Sequence, residues 1–339
     1  MQITSIGLDL AKSIFHLVGF DSRGKEVFKK KLKRQQLLPY FVQLPPCQIS
    51  MEACAGSNYW YQQLSALGHT VKLIAAQHVK AYLRGNKNDY NDARAIAEAA
   101  SRPNMRFVSP KTLKQQELQA LLQSRKLLIT QRTALCNQVR ALMAEHGIVA
   151  PRGITTLRRA VCEVLEDASN GLSPVLREIL GWNHEQILSV DKLLAIHDRK
   201  LRELSREHED VNRLQSVPGY GPVLASAMVS AIGDGATFRK GRDVAASIGV
   251  VPRQHSTGGK EVLLGISKRG DRYLRSLLIH GARSIIQQAP HRDDRLSRWV
   301  LEVCERRGKN KATVALSNKL ARIGWAVLRY QQPYEMAAA

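Results

Sequence analysis

The chain has 339 residues, 44% of them hydrophobic, and carries 51 Lys and Arg against 29 Asp and Glu. The formal charge of +22 makes an acidic polymer the expected partner. No apolar run reaches the roughly 20 residues of a membrane span, no secretion signal begins the chain, and the five scattered cysteines suggest neither a disulfide framework nor a zinc cluster. We therefore expect a globular cytoplasmic protein with no membrane partner.

Residues 1–107 predict an α/β domain. Short apolar runs favour strands at 3–9, 14–21, 26–32, 48–52 and 70–75, with helices at 58–67 and after residue 88. The turn Ser22-Arg23-Gly24-Lys25 predicts that the second and third strands form a hairpin. The order strand, hairpin, strand, helix, strand, helix is typical of an α/β domain.

Residues 108–210 predict a region of long helices. Leu121, Leu128, Leu135 and Leu142 fall seven apart, with Arg125 and Arg132 between them, and a second apolar set runs from 187 to 204. Two interpretations stay open, because such sets can pack on each other within one chain or form a coiled coil that dimerises the protein. Residues 151–182 between them predict short helices around the breaker Ser169-Asn170-Gly171.

Residues 211–331 predict a mainly helical domain, followed by a frayed tail at 332–339. The domain opens with SVPGYGPVLASAMVSAIG, which has the form of a helix-hairpin-helix. Gly219 and Gly221 would let backbone N–H groups approach a nucleic-acid phosphate. A plain tight turn between two helices is the alternative.

Asp89 and Asp92, in the stretch KNDYNDARAIAEAA, lie three residues apart at the start of an alanine-rich helix. Two carboxylates at that spacing repel by roughly 3 kcal/mol at an effective dielectric of 20. Ordinary ion pairs with Lys87 and Arg94 would relieve this repulsion on a surface helix, and for an isolated pair that is the simpler interpretation.

Asp9 and Glu52 make the pair more interesting, because each stands at the end of a predicted strand of the same sheet. Acids in a sheet are costly unless they are paired or bind a metal. Four carboxylates from one sheet and its following helix can hold two Mg²⁺ ions, which stabilise the attacking and leaving oxygens of phosphoryl transfer.

These residues carry a resemblance to a known family. The phrases GLDLAKS, MEACAGS and KNDYNDARAIAE resemble the DEDD, RuvC-like ribonuclease-H-fold domain of insertion-sequence 110 family transposases. The stretch FRKGRDVAASIGVVPRQHSTGGKEVLLGISKRGDRYLRSLLIHGARS resembles that family's second transposase domain, most closely in the insertion-sequence 1111 group. The resemblance covers nearly the whole chain.

The resemblance implies an RNA-guided DNA recombinase of the bacterial nucleoid. A structured non-coding bridge RNA would pair with donor and target DNA, so that base pairing reads the sequence. Asp9, Glu52, Asp89 and Asp92 would hold Mg²⁺, two ions with Mn²⁺ as a substitute, and a serine of the second domain would form a covalent bond to DNA. Family members form dimers that synapse as tetramers, with acids and serine contributed by different protomers.

Ser256 in HSTGGK is the predicted nucleophile, since it is the one serine in that loop. Other branches of the family place the serine one residue later, where this chain has Thr257, so Thr257 is a rival. Glycines allow close phosphate approach, and Arg253 and Lys260 can neutralise the phosphate. His255 is adjacent but would point the opposite way in an extended segment, which leaves the general base unassigned.

A basic segment follows the serine. Lys268, Arg272 and Arg275 fall at helical spacings and predict one cationic face, with Arg269 beside it, for contact with DNA or RNA. Arg306, Arg307, Lys309 and Lys311 form a second and weaker basic cluster.

Three other functions stay open. A RuvC-like nuclease or junction resolvase would use the same acids with water as the nucleophile. A basic coiled-coil binding protein would keep the acids only to stabilise its sheet. GLDLAKS also resembles the first phosphate loop of actin- or sugar-kinase-like ATPases, but the chain has no obvious second glycine-rich phosphate loop.

Overall fold

The computed structural model describes residues 3–86, 88–150 and 152–335. The chain divides into two compact units, Met1–Thr112 and Leu113–Ala339. The first is a mixed α/β unit and the second is almost entirely helical, which confirms the predicted combination of an α/β part with an α part. Within the described ranges, no helix has the length and apolar character needed to cross a membrane.

A six-stranded sheet forms the centre of the first unit. Its strands are β1 Ser5–Asp9, β2 Ile14–Phe20, β3 Glu26–Lys33, β4 Gln48–Glu52, β5 Thr70–Ile74 and β6 Phe107–Val108. Their spatial order is β3-β2-β1-β4-β5-β6. The first three strands form an antiparallel meander, β1, β4 and β5 run parallel, and β6 is antiparallel to β5. Alternating apolar residues predicted the first five strands to within two residues at each end.

Four helices cover the sheet: α1 Leu37–Val42, α2 Ser57–Ala66, α3 Ala76–Val79 and α4 Asp89–Ser101. Ile6 and Leu8 of β1 belong to the buried cluster that α1 and α2 complete. Gly7 lies between them and faces α4 instead. Residues on the Gly7 face of β1 therefore project toward α4, because side chains alternate along a strand.

The second unit contains nine helices and one two-stranded ribbon among its described residues. They are α5 Leu113–Glu145, α6 Ile154–Glu166, α7 Pro174–Glu207, α8 Glu209–Leu214, α9 Pro222–Ile232, α10 Gly241–Ile248, β7 Pro252–Gln254, β8 Leu263–Ile266, α11 Arg272–Gln288, α12 Arg295–Arg307 and α13 Lys309–Tyr330.

The long helices α5 and α7 pack on each other within one chain. Arg125 and Arg132, which interrupt the leucine repeat, lie in this interface. Their guanidinium groups contact Asp198 at 2.6 Å and Asp191 at 2.8 Å. The contacts advance by seven residues on α5 and go back by seven on α7, so the helices are antiparallel.

The prediction of short helices over 151–182 is only partly right. α6 is short, but α7 already begins at Pro174, because the Ser173 hydroxyl accepts a hydrogen bond from the Leu176 N–H and proline suits the first helical position. Pro151 lies outside the described residues.

The helical region and the C-terminal helices share one hydrophobic core. Leu118 of α5 and Leu201 of α7 are buried in the same cluster as the residues of α9, α11 and α13. The predicted boundaries 1–107, 108–210 and 211–331 stay predictions. The frayed tail also stays a prediction. In its described part the Tyr334 N–H donates a hydrogen bond of 2.7 Å to the Ser216 hydroxyl, and residues 336–339 lie outside the described residues.

Candidate active site and nucleic-acid interface

Asp9 and Glu52 are neighbours at the end of two parallel strands. The β1–β4 register pairs Leu8 with Met51, so the next residues along both strands are the two acids. Carboxyl ends of parallel strands meet at one edge of a sheet, and adjacent strands lie about 4.8 Å apart.

Helix α4 approaches this edge closely because β1 has a glycine there. A Cβ built on Gly7 would lie 2.0 Å from the Ala93 carbonyl oxygen and 2.9 Å from the Ala97 Cβ. The alanine-rich sequence of α4 is thus a packing surface for β1. Its first turn contains Asp89 and Asp92, and the Asn88 side chain caps the helix by accepting from the Tyr90 N–H. The N-terminal end of a helix favours negative charge.

The four acids interact electrostatically. The pKa of Asp9 is raised to about 6, first by burial and then by the negative charges of Asp92, Asp89 and Glu52. The pKa of Glu52 is also raised, by burial and then by Asp92. The four carboxylates, which the sequence predicted from separate motifs, therefore lie near enough to influence one another's pKa.

The simpler alternative, relief by ion pairs, does not hold for Arg94. Arg94 contacts the Glu26 carboxylate at 3.0 Å, and Lys87 lies outside the described residues. Within residues 3–86, 88–150 and 152–335, no Lys or Arg forms an ion pair with Asp9, Glu52, Asp89 or Asp92. A cluster of four acids, two of which have a raised pKa and none of which is paired with a described lysine or arginine, is suited to hold a divalent cation.

His16 belongs to the same cluster, and sequence reasoning missed it. It is the register partner of Asp9 on β2, it is 8% exposed, and its Nδ1 lies 3.4 Å from Asp89 Oδ2 without the geometry of a hydrogen bond. One ligand atom from each of Asp9, His16 and Asp89 can be chosen so that all lie within 4.8 Å of one another. Its place beside Asp9 depends on the register of β1 against β2, which local sequence signals do not specify.

Ser256 lies in the second unit, near the tip of the β7–β8 hairpin. Thr257 and Lys260 exchange backbone hydrogen bonds of 3.3 and 3.0 Å across Gly258-Gly259, whose φ values are +55° and +77°. Two successive residues with positive φ make a tight primed turn, which favours glycine at both positions. Ser256 is therefore exposed immediately before a sharp reversal of the chain.

Gln254 is a second neighbour that sequence reasoning missed. Its side-chain Nε2 donates a hydrogen bond of 2.9 Å to the Ser256 Oγ, as residues two apart on a strand can do. The amide orients the oxygen but cannot accept its proton. The His255 N–H donates a hydrogen bond of 2.9 Å to the Val262 carbonyl across the ribbon. Successive side chains of a strand lie on opposite faces, so the His255 side chain lies on the face opposite to that of Gln254.

The predicted helical face of Lys268, Arg272 and Arg275 is wrong. The Asp271 side chain accepts from the N–H groups of Tyr273 and Leu274, so α11 begins at Arg272 and Lys268 lies in the preceding turn with a φ of +55°. Arg275 donates to the Ile248 carbonyl at 2.7 Å and holds this turn. The exposed cations near the hairpin are Arg253, Lys260, Lys268, Arg269 and Arg272.

A basic groove begins at the base of the hairpin. Pro252 and Ile266, the paired residues there, line a cavity of about 1050 Å³ together with five cations and no carboxylate among its described lining residues. The cations are Lys240, Arg242, Lys311, Lys319 and Arg322. Burial, with Arg295 and Arg322, lowers the pKa of Lys319. The five cations make the groove suited to a polyanion. Of the weaker predicted cluster, Lys311 alone lines it.

The glycines of the helix-hairpin-helix-like motif differ in their surroundings. α8 and α9 flank the turn as predicted. Gly219 has a φ of +79°, and a Cβ there would lie 2.9 Å from the Gly281 carbonyl oxygen of α11. The close contact with α11 and the positive φ explain why a glycine occupies position 219. Gly221 is exposed and a Cβ there would meet nothing within 4 Å, so its predicted phosphate contact stays a prediction.

Comparison with known proteins places the chain in a defined class. A family model for DEDD-type transposases matches residues 6–148, the span that contains all four acids. Together with the full-length relatives described next, this match shows that the chain is a DNA transposase, an enzyme of DNA recombination.

A second model, described as "Transposase IS116/IS110/IS902 family", matches residues 211–297, and the chain belongs to that family. It is 43% identical over 99% of its length to the "Transposase for insertion sequence element IS1111A" of Coxiella burnetii, covering 93% of that protein. It is 44% identical over 98% of its length to a "Probable family 20 transposase" of Pseudomonas aeruginosa, covering 99% of it. A more distant relative, the "Pilin gene-inverting protein" of Moraxella bovis, is 24% identical over 99% of the chain and 98% of that protein.

Proposed function

We propose that this insertion-sequence transposase cleaves and joins DNA strands through a covalent bond between DNA and Ser256, assisted by Mg²⁺ on Asp9, Glu52, Asp89 and Asp92. The observation that carries the proposal is the convergence of these four carboxylates at one edge of the sheet. The strand order with a meander, two parallel crossovers and α4 on the face of β1 supports a RuvC-like ribonuclease-H fold.

In the proposed chemistry the Ser256 Oγ attacks a DNA phosphate. A bond from Oγ to phosphorus forms, the bond from phosphorus to one deoxyribose oxygen breaks, and that oxygen leaves with a proton. Attack by the freed strand's oxygen, or by that of another strand, reverses the step and releases the serine. Bound divalent ions would polarise the phosphate and stabilise the leaving oxygen.

The chain's own residues orient and neutralise the reactants. Gln254 holds the nucleophilic oxygen through its hydrogen bond of 2.9 Å. Arg253 and Lys260 are exposed beside it and balance charge on the phosphate. The basic groove at the base of the hairpin provides a path for the phosphate backbone of the attached strand, to which its five cations are complementary.

A structured guide RNA and self-association complete the proposal. The net charge of +22 suits binding of nucleic acid in general, and the family resemblance implies a bridge RNA that reads donor and target. Trp182, Leu193 and Ile196 are 59%, 43% and 55% exposed on the face of α7 opposite its buried face, and Leu127 of α5 is 58% exposed. Large apolar side chains left exposed on these helices support association with a second copy of the chain.

The test is a denaturing gel of protein incubated with labelled element-end DNA, RNA transcribed from the flank of the element, and Mg²⁺. Wild type should give a protein-linked DNA band, which Ser256→Ala and Asp89→Ala should abolish. Ser276→Ala, an exposed serine of α11, is the matched control and should keep the band. Omitting the RNA should abolish cleavage.

Each other outcome contradicts a stated part of the proposal. Cleavage without a linked band that survives Ser256→Ala means that water attacks and that the protein is a RuvC-like nuclease. A linked band that is lost only in Thr257→Ala moves the nucleophile by one residue. Cleavage without RNA removes the guide from the proposal.

A further inference from the structure

Asp9 and Asp89 share their corner of the acid cluster with an imidazole nitrogen, that of His16. His16 is on β2 directly beside Asp9, and its Nδ1 is buried and lacks a hydrogen-bond partner among the described residues. A buried polar atom without a partner is uncommon, and an ion bound at the site is one of its ordinary explanations. The Asp89 Oδ2 lies 3.4 Å from this nitrogen.

The spacing fits ligands of one ion. Ligands at about 2.1 Å on opposite sides of a cation are about 4.2 Å apart, and the three donor atoms lie within 4.8 Å of one another. A shift of a few tenths of an ångström by each donor therefore suffices. The 3.4 Å between His16 and Asp89 already suits two adjacent ligands.

We propose that His16 is a nitrogen ligand of the acid cluster and gives it a preference for first-row transition ions such as Mn²⁺ over Mg²⁺. Mg²⁺ takes oxygen ligands, whereas imidazole suits transition metals. Replacing the nitrogen should then weaken Mn²⁺ binding more than Mg²⁺ binding. This inference rests on the proposed metal centre and adds a ligand that the four acids do not include.

An exclusively structural role is the competing explanation. The His16 ring contacts the Tyr90 ring edge-on, with centroids 4.8 Å apart, and this packing needs no nitrogen. His16→Phe keeps the aromatic contact and removes the nitrogen, so it separates the two roles. His16→Asn keeps a polar atom near the position of Nδ1 and serves if the phenylalanine variant does not fold.

The experiment uses the full chain, with Mn²⁺ alone as the probe. Pulsed electron paramagnetic resonance of the Mn²⁺-loaded protein should show coupling to an imidazole ¹⁴N, which changes when histidine is labelled with ¹⁵N and disappears in His16→Phe. By calorimetry, the Kd for Mn²⁺ should rise roughly tenfold or more in that variant, since even outer partners of a ligand contribute ~10–100-fold, while the Kd for Mg²⁺ changes less. His255→Phe, outside the acid cluster, should change neither.

Failures of the two proposals can be told apart. Mn²⁺ that binds wild type and is lost in Asp9→Asn, but shows no nitrogen coupling, overturns the role of His16 and leaves the metal centre intact. Nitrogen coupling that persists in His16→Phe does the same. A wild-type protein that binds no Mn²⁺, or binds it unchanged in Asp9→Asn, overturns both.

Discussion

Replacing Gly7 by alanine should move Asp89 and Asp92 of α4 away from Asp9 and Glu52 at the strand ends, without removing any acid. The new Cβ would lie 2.0 Å from the Ala93 carbonyl oxygen, whereas a close carbon–oxygen contact is about 3.3 Å. Helix α4 must therefore move from β1 by roughly 1.3 Å, the difference between these two distances. Overpacking of this kind costs about 1–3 kcal/mol, and a misplacement of ~1 Å at a reacting centre costs ~100-fold in rate.

Urea unfolding and the rate of DNA cleavage in Mg²⁺ measure these two effects. Gly181→Ala makes the same chemical change in the interior of α7, where a Cβ meets nothing within 4 Å. This control should stabilise the protein by up to ~1 kcal/mol and leave cleavage unchanged. A Gly7→Ala protein with the stability and cleavage rate of wild type would refute the account of how α4 is positioned.

Two further predictions concern charge and assembly. The folded-state pKa of Asp9, about 6, is above its ordinary 3.8. Between these pH values the folded, metal-free chain therefore binds more protons than the unfolded chain. Asp9 should thus contribute increasing stability as the pH falls through that window. Thermal midpoints in EDTA at pH 7 and 5 should show a pH-dependent gain that Asp9→Asn reduces; equal profiles would contradict it. Ile196→Glu should convert the proposed dimers to monomers, measured by light scattering, because it places charge in the exposed apolar face of α7. Ala195→Glu, on an adjacent face, should leave the dimers intact. Equal masses for the two variants would contradict that assignment.

Local patterns predicted the elements and the acids but not their neighbours. β4 was predicted to the residue, because an alternating apolar run between turns is a local signal. Asp9 and Glu52 could be assigned to one edge because strand ends of a parallel pair coincide. His16 could not, because its role depends on which residue of β2 pairs with Asp9, and one residue of register moves a side chain to the other face.

Competition between local signals explains the main error. Lys268 and Arg272 have helical spacing, but spacing alone does not say where a helix begins. Asp271 is a strong capping residue and takes the first N–H groups of α11, which leaves Lys268 in a turn. The arginines of α5 are a second case, since they interrupt a leucine repeat in the sequence yet lie in the interface, where Asp191 and Asp198 pair with them.

The acid cluster also implies an order of events during the reaction. In a chain of charge +22, Asp9, Glu52, Asp89 and Asp92 form a small region of negative potential within a surface that attracts nucleic acid. Without a cation this region would repel the phosphate that the proposed function assigns to it, and with a bound cation it would attract that phosphate. We therefore expect the metal ion to control entry of the scissile phosphate as well as its reaction, so that DNA held by the rest of the basic surface stays uncut until the ion has bound.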